Sequence, residues 1–118
     1  MTYLLPLLAL IAAAPALAEG QRDDFTCATL STCTMGGDCT EGGESFGLAF
    51  LGGGIEVAMN DETLTPVYDG TLRTAAWSSA GRVWQIRFTG DGAGVMMASD
   101  EAGAPEAATL MTIHCSPE

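Results

Sequence analysis

The sequence contains no lysine, and four arginines face 15 aspartates and glutamates. The formal net charge at pH 7 is −11. A nucleic-acid-binding protein needs cations that displace counterions from phosphates, so this balance excludes nucleic acid as a partner and disfavours anionic membrane surfaces. A charged partner should be a basic protein, which the acidic field would steer toward the surface. The alternative is that the charge only keeps the protein soluble.

Motifs for catalysis and metal binding are also missing. His114 is the single histidine, and no G-x-S-x-G nucleophile elbow accompanies it. The five methionines after residue 18 raise the question of a Cu(I) site. However, Met96 and Met97 are adjacent, and adjacent residues of a strand point to opposite faces. No run of acids has the spacing of a calcium-binding loop. We therefore expect no enzyme activity, no metal and no cofactor.

The start of the chain is apolar and free of charged side chains. The run from residue 3 to residue 18 reads YLLPLLALIAAAPALA. It is short for a helix that spans a bilayer, which needs about 20 residues. Ala16-Leu17-Ala18 is the small-x-small pattern of a signal-peptidase site. We predict a signal peptide over residues 1–18 and one domain over residues 19–118. The domain would be periplasmic or secreted, with no membrane anchor after cleavage.

Four cysteines follow the predicted cleavage site, namely Cys27, Cys33, Cys39 and Cys115. An even count in an exported protein predicts two disulfides. Two short gaps followed by a very long one do not match the tight ligand pairs of a structural zinc site. We favour Cys33–Cys39, which closes a short glycine-containing loop, with Cys27–Cys115, which ties the ends of the domain together. Cys27–Cys39 with Cys33–Cys115 is the alternative.

Alternation of apolar and polar residues begins near Ser45 and indicates half-buried strands. The clearest example is WQIRF at residues 84–88. Turns rich in glycine and aspartate separate such segments. We predict an all-β fold, a small antiparallel barrel or sandwich of about six or seven strands. Residues 19–24 are expected to be a frayed start, and residues 25–43 an irregular region held by its disulfides.

The loop between the two tryptophans is the candidate recognition site. Aromatic and arginine side chains dominate the hot spots of binding surfaces. Trp84 is expected in the core because it belongs to the alternating strand, whereas Trp77 fits either environment. The candidate binding residues are Trp77, Ser78, Ser79 and Arg82. We hypothesise a non-enzymatic exported β domain that binds a protein or a ligand.

The overall layout resembles that of small exported bacterial proteins of unknown function. These share a signal peptide, a cysteine-rich start, several strands and a closing cysteine. This resemblance covers the whole chain and implies no activity.

Two short motifs are also similar to those of the periplasmic or membrane-bound inhibitors of c-type lysozyme. Phe25-Thr26-Cys27 and Cys115 resemble the family's early aromatic-x-Cys and its late cysteine. The sequence SSAGRVW at residues 78–84 is similar in content, though not in order, to the family's Ser-x-Ser-Gly-Ala loop followed by Arg or Lys and Tyr. The resemblance implies a small antiparallel barrel that inhibits a cell-wall hydrolase. It also implies that Arg82 is exposed at the tip of the inhibitory loop.

Overall fold

The computed structural model describes residues 21–118, so the predicted signal peptide lies outside the described residues. The described chain is all-β and antiparallel, as predicted. Within it, no helix is long and apolar enough to cross a membrane. Among residues 21–118 a single 3-10 turn occurs, at Pro105–Ala107. The strands are β1 (Arg22–Thr34), β2 (Cys39–Glu41), β3 (Ser45–Leu51), β4 (Gly54–Met59), β5 (Glu62–Leu64), β6 (Val67–Asp69), β7 (Thr74–Ser79), β8 (Arg82–Gly90), β9 (Ala93–Asp100) and β10 (Thr109–Pro117).

The strands form one antiparallel sheet in the order β5-β4-β3-β1-β10-β9-β8-β7-β6. The short β2 pairs with the second half of β1. From β3 to β10, all consecutive strands except β5 and β6 are neighbours in the sheet, and four of these six connections have only two residues. The first and last strands pair along most of their length, which joins the two halves of the sheet.

The sheet curves into a half-barrel that encloses the core. Phe46 on β3 and Trp77 on β7 are five strands apart, about 24 Å on a flat sheet. Their ring centroids are 6.5 Å apart. Phe50 and Phe88, four strands apart, are 5.8 Å apart. The concave face therefore supplies both sides of a single hydrophobic core.

The two edge strands, β5 and β6, face each other across the open seam of the half-barrel. The Ser79 hydroxyl donates a 3.0 Å hydrogen bond to the Glu62 carboxylate and links β7 to β5 across this seam. At the start of β1, Arg22 donates hydrogen bonds to Glu56 and to Asp24, both at 2.9 Å. These hydrogen bonds raise the pKa of Arg22 above its ordinary value.

The prediction of six or seven strands was too low, and the largest error concerns residues 19–43. Residues 22–34 form β1, the longest strand, rather than a frayed start and an irregular region. Thr-rich and Cys-rich residues give this segment no simple alternation, yet it pairs with β10 on one side and with β3 and β2 on the other. This segment is therefore a strand because it pairs on both sides, although its local sequence pattern did not predict one.

Both disulfides of the favoured pairing are present, and the alternative pairing is not. Cys27 and Cys115 are direct partners on β1 and β10, with Cα atoms 3.9 Å apart, and both are buried. Cys33 and Cys39 are direct partners on β1 and β2. Each disulfide therefore reinforces an existing strand pair. Two disulfides also indicate that the protein folds in an oxidising environment.

The turn between β8 and β9 packs against the buried disulfide. Gly92 has a φ of +80°, and its carbonyl accepts a 2.7 Å hydrogen bond from the Cys115 amide. A Cβ atom at this position would overlap the Cys115 carbonyl oxygen. Glycine is therefore required both by the backbone conformation and by the close approach of β10.

Candidate functional site

A cavity of about 200 Å³ opens at one end of the half-barrel. Its walls are apolar and come from inward-facing positions of five strands. Met96 and Met111 are direct partners on β9 and β10, so their side chains lie on the same concave face. The wall residues are Phe46, Met59, Trp84, Met96 and Met111, and all five are buried.

The two tryptophans stack beside this cavity, and Trp84 is the one that lines it. Trp77 and Trp84 are direct partners on β7 and β8, with parallel rings whose centroids are 6.5 Å apart. Arg82 covers the outer side of this stack, with its Cζ 5.6 Å from the centre of the Trp84 ring. Its Nε lies 3.3 Å from Oδ1 of Asp100, the strand partner of Arg82 on β9. Arg82 and Trp84 line the cavity, whereas Trp77 and Asp100 do not.

A β-bulge in β1 brings two threonines to the cavity rim. In a regular strand Thr29 and Thr32 would point to opposite faces, because their spacing is odd. The register with β10 shifts between Thr29 and Ser31, which leaves Leu30 as the extra, exposed residue. Thr29 and Thr32 consequently both line the cavity. Bulges are common beside functional sites because they redirect a side chain in this way.

The loop from Gly42 to Glu44 closes the cavity on the β1 side. The Gly42 amide donates to the Leu30 carbonyl at 2.7 Å, and the Thr32 hydroxyl donates to the Gly42 carbonyl at 3.1 Å. A Cβ on Gly43 would lie 2.7 Å from Cγ2 of Thr29. Only glycine lets this loop pack so closely on the bulge. The loop places the exposed Glu44 at the mouth of the cavity.

Three polar groups around the cavity are buried without a hydrogen-bond partner. They are Oγ1 of Thr29, Nε of Arg82 and Nε1 of Trp84. The Arg82–Asp100 contact is an ion pair, but its geometry does not make a hydrogen bond to Nε. Burying an unpaired polar group costs about 1–3 kcal/mol. Among residues 21–118 only one other buried side-chain polar atom is unpaired, Nε1 of Trp77.

A second cavity of about 190 Å³ lies at the opposite end of the half-barrel. It is lined by Phe25, Phe50 and Phe88, whose rings pack against each other at 5.7 and 5.8 Å. None of the unpaired buried polar atoms lines this cavity. It has the character of ordinary core packing, so the Trp84 end is the better candidate for a site.

The structure does not bring the four predicted binding residues together on one loop. The β7–β8 turn contains only Ala80 and Gly81, and Ser79 is buried on β7. Ser78 is exposed, whereas Trp77 is in the core. Arg82 lies at the base of the turn, half-buried against Trp84. The similarity to lysozyme inhibitors implied that Arg82 is exposed at the tip of a loop. The structure does not place it there.

Sequence reasoning missed the convergence of three methionines. Met96 and Met97 do point to opposite faces, 2% and 37% exposed, as expected. Strand register pairs Met96 with Met111, and the curvature of the sheet brings Met59 to the same cavity. Neither feature has a local signal in the sequence. Arg82 lines the same cavity, and its positive charge disfavours a cation among the thioethers, so we assign the three methionines to the cavity wall. Within the described chain, no group of three or more His, Cys, Asp or Glu side chains could hold a metal.

Comparison with known proteins finds no family model, no curated protein and no solved structure that matches this chain.

Proposed function

We propose that the protein is an exported, non-enzymatic binding module whose cavity holds a small apolar molecule with a hydrogen-bond acceptor. The observation that carries this proposal is the set of three unpaired buried polar atoms around one apolar cavity. Ligand sites typically combine apolar walls with a few polar groups that fix orientation. A ligand that pairs with these groups would recover part of the free energy that their burial costs.

The chemistry of the unpaired groups specifies the ligand's polar end. The indole N–H of Trp84 and the Nε–H of Arg82 can only donate hydrogen bonds. The Thr29 hydroxyl can donate or accept. A ligand that satisfies all three groups must therefore present an acceptor, such as the carbonyl of a ketone, ester or lactone.

Charge favours an uncharged acceptor over a carboxylate. Asp100 already faces Arg82 at 3.3 Å, and Glu44 lines the mouth of the cavity. The protein as a whole carries a formal charge of −11. An anionic ligand would have to approach this field and lose its hydration without an unpaired cation to meet it.

The size of the cavity limits both the ligand and its affinity. An apolar cavity of roughly 150 Å³ is large enough for benzene, and this cavity is slightly larger, at about 200 Å³. Molecules with about ten heavy atoms therefore fit. At roughly 0.5 kcal/mol per heavy atom, the dissociation constant should be on the order of 10⁻⁴ M.

Binding without catalysis is proposed because the one histidine is remote from the cavity. His114 is exposed on β10, next to Gly92 at the other end of the half-barrel. The polar residues that line the cavity are threonines, Arg82, Trp84 and Glu44, with no histidine among them. Export, the signal peptide and a periplasmic or secreted location belong to the same proposal, which the two disulfides support.

The test is calorimetric titration with three probes of similar shape, namely acetophenone, ethylbenzene and benzoate. Ethylbenzene lacks the acceptor, and benzoate carries a negative charge. Since one neutral hydrogen bond contributes about 0.5–1.5 kcal/mol, acetophenone should bind about two- to tenfold more tightly than ethylbenzene. Benzoate should bind most weakly.

Two matched variants locate the binding site. Trp84→Phe removes the unpaired indole N–H of a side chain that lines the cavity, and it should abolish the preference for acetophenone over ethylbenzene. Trp77→Phe removes the other unpaired indole N–H, which does not line the cavity, and should preserve that preference. Absence of binding by all three probes at millimolar concentration would refute the proposal.

A further inference from the structure

Four connections between strands meet at the end of the half-barrel that holds the cavity beside Trp84. Because neighbouring strands are antiparallel, alternate connections lie at the same end of the sheet. The connections from β1 to β3, β4 to β5, β7 to β8 and β9 to β10 therefore share one end. Each of them, or a strand end beside it, contributes a residue that lines the cavity, namely Glu44, Met59, Arg82 and Thr109.

These connections surround the mouth of the cavity with carboxylates. Eight acidic residues lie in them or at the strand ends beside them, and all eight are exposed. This acidic rim consists of Asp38, Glu41, Glu44, Asp61, Glu62, Asp100, Glu101 and Glu106. In the same segments of the described chain, Arg82 is the only basic residue.

The rest of the described chain is closer to charge balance, with six acidic residues and three arginines. Two carboxylates of the acidic rim have partners, since Asp100 pairs with Arg82 and Glu62 accepts the hydrogen bond from Ser79. The six others form no ion pair within residues 21–118. Carboxylates held together at one end repel each other, and a net charge that served only solubility would not require this concentration.

The buried groups inside the acidic rim show that the site takes more than a simple cation. Thr29 and Trp84 are 5% and 8% exposed, both line the cavity, and Oγ1 of Thr29 and Nε1 of Trp84 have no hydrogen-bond partner. The cavity fits an uncharged apolar group with an acceptor, whereas the acidic rim attracts positive charge. A molecule that matches both features carries its cations outside the cavity and an apolar group inside it.

We propose that this end of the half-barrel binds a basic polypeptide segment that inserts one aromatic side chain into the cavity. The inference rests on the proposed function, and it names the kind of molecule that supplies the apolar group. The main-chain carbonyl of the inserted residue accepts hydrogen bonds from Trp84 and Arg82. Lysines or arginines on both sides of that residue meet the acidic rim.

A polypeptide fits this site better than a small cation does. The carboxylates come from all four connections, so positive charges are needed on several sides of the inserted group. A peptide also places a carbonyl beside every side chain. A phenylalanine side chain with its own carbonyl has about ten heavy atoms, which suits a cavity of about 200 Å³. The three methionines of the wall favour an aromatic ring, because thioethers pack well against aromatic rings.

The test is calorimetric titration of the oxidised protein with capped peptides. Acetyl-KKFKK-amide carries both features, acetyl-KKSKK-amide lacks the apolar side chain, and acetyl-EEFEE-amide reverses the charge. Exposed ion pairs are individually weak, but four lysines together should make acetyl-KKFKK-amide bind about tenfold more tightly than neutral acetylphenylalanine amide. Acetyl-KKSKK-amide should bind at least about tenfold more weakly than acetyl-KKFKK-amide. Acetyl-EEFEE-amide should not bind detectably.

Salt and competition separate the two parts of the interaction. The affinity for acetyl-KKFKK-amide should fall at least about fivefold between about 20 and 300 mM sodium chloride, because screening weakens the attraction of the acidic rim. The affinity for acetylphenylalanine amide should change less than about twofold over the same range. Acetophenone should compete with acetyl-KKFKK-amide, since both place a phenyl ring in the cavity.

Two matched double variants locate the charge effect. Asp61→Asn with Glu101→Gln neutralises two carboxylates of the acidic rim and should weaken acetyl-KKFKK-amide binding at least about threefold. Asp91→Asn with Glu118→Gln makes the same change in net charge at the opposite end, and its effect should stay below about 1.5-fold. Asp61 and Asp91 both have positive φ, 61° and 54°, which asparagine tolerates, so the two variants are equivalent in backbone strain.

Three results would overturn the inference. They are acetyl-KKFKK-amide binding no more tightly than acetylphenylalanine amide, acetyl-KKSKK-amide binding as tightly as acetyl-KKFKK-amide, and equal weakening by the two double variants. If acetophenone binds but the lysines add nothing, this inference fails and the cavity proposal stands. If neither acetophenone nor acetyl-KKFKK-amide binds, both fail.

Discussion

A variant with alanine at both Cys27 and Cys115 is expected to lose at least about 4–5 kcal/mol of unfolding free energy. The disulfide closes a loop with a sequence separation of 88 residues. In the chain-entropy model, closing a loop of this length lowers the entropy of the unfolded state and raises its free energy by about 4.6 kcal/mol. Both cysteines are also buried in the core, so the variant loses packing as well. The measurement is urea unfolding of the oxidised proteins, followed by circular dichroism.

The second disulfide provides the matched control. Cys33 and Cys39 are only 6 residues apart, so the same model gives about 2 kcal/mol for this loop. Both replacements remove one disulfide and leave two alanines on paired strands. If the Cys33–Cys39 variant proved to be as destabilised as the Cys27–Cys115 variant, loop length would not be the source of the stabilisation.

Truncation of Trp84 to alanine should destabilise the domain by about 3–5 kcal/mol, as large-to-small core changes do. Trp84 is 8% exposed, stacks on Trp77 and carries Arg82 on its outer side. Its removal would enlarge the cavity and leave the Trp77 ring without its partner. Thermal unfolding should show a correspondingly large drop in Tm, since about 1 kcal/mol shifts the Tm of a domain of this size by roughly 4–8 °C.

Trp84→Phe distinguishes loss of packing from loss of the indole N–H. Phenylalanine keeps an aromatic ring against Trp77 but removes a buried N–H that has no partner. The gain from removing that N–H offsets part of the lost contact area, so we expect a cost below about 1.5 kcal/mol. A cost equal to that of the alanine variant would mean that removal of the N–H brings no gain, and this result would contradict the proposed site.

Local patterns predicted the parts of the fold where one face of a strand is buried. The segment 84–88 alternates as expected, and both disulfides pair as favoured. The strand β1 was missed because its pairing is decided by β3 and β10, which lie far away in sequence. Pro66 lies between two short strands, β5 and β6, which form the two edges of the sheet.

The candidate site was less accessible to sequence reasoning than the fold. Trp84 was correctly placed in the core, but its role in a cavity depends on curvature. The bulge at Leu30 turns Thr29 and Thr32 to the same side. The sequence pattern of β1 does not predict this bulge. The convergence of three methionines on one cavity wall depends on strand register and curvature, which the sequence does not show. A basic protein partner and lysozyme inhibition stay predictions from charge and from the SSAGRVW motif.

The most direct test of the ligand-binding proposal is the nuclear magnetic resonance spectrum of the two indole N–H groups during titration with acetophenone. The chain has two tryptophans, and Trp77→Phe and Trp84→Phe assign their signals. If the carbonyl accepts a hydrogen bond from Trp84, its indole proton should move downfield in a saturable way, while that of Trp77 moves much less. Ethylbenzene should not produce this downfield shift. A Trp84 indole signal that stays in place at saturating acetophenone would contradict the proposed site.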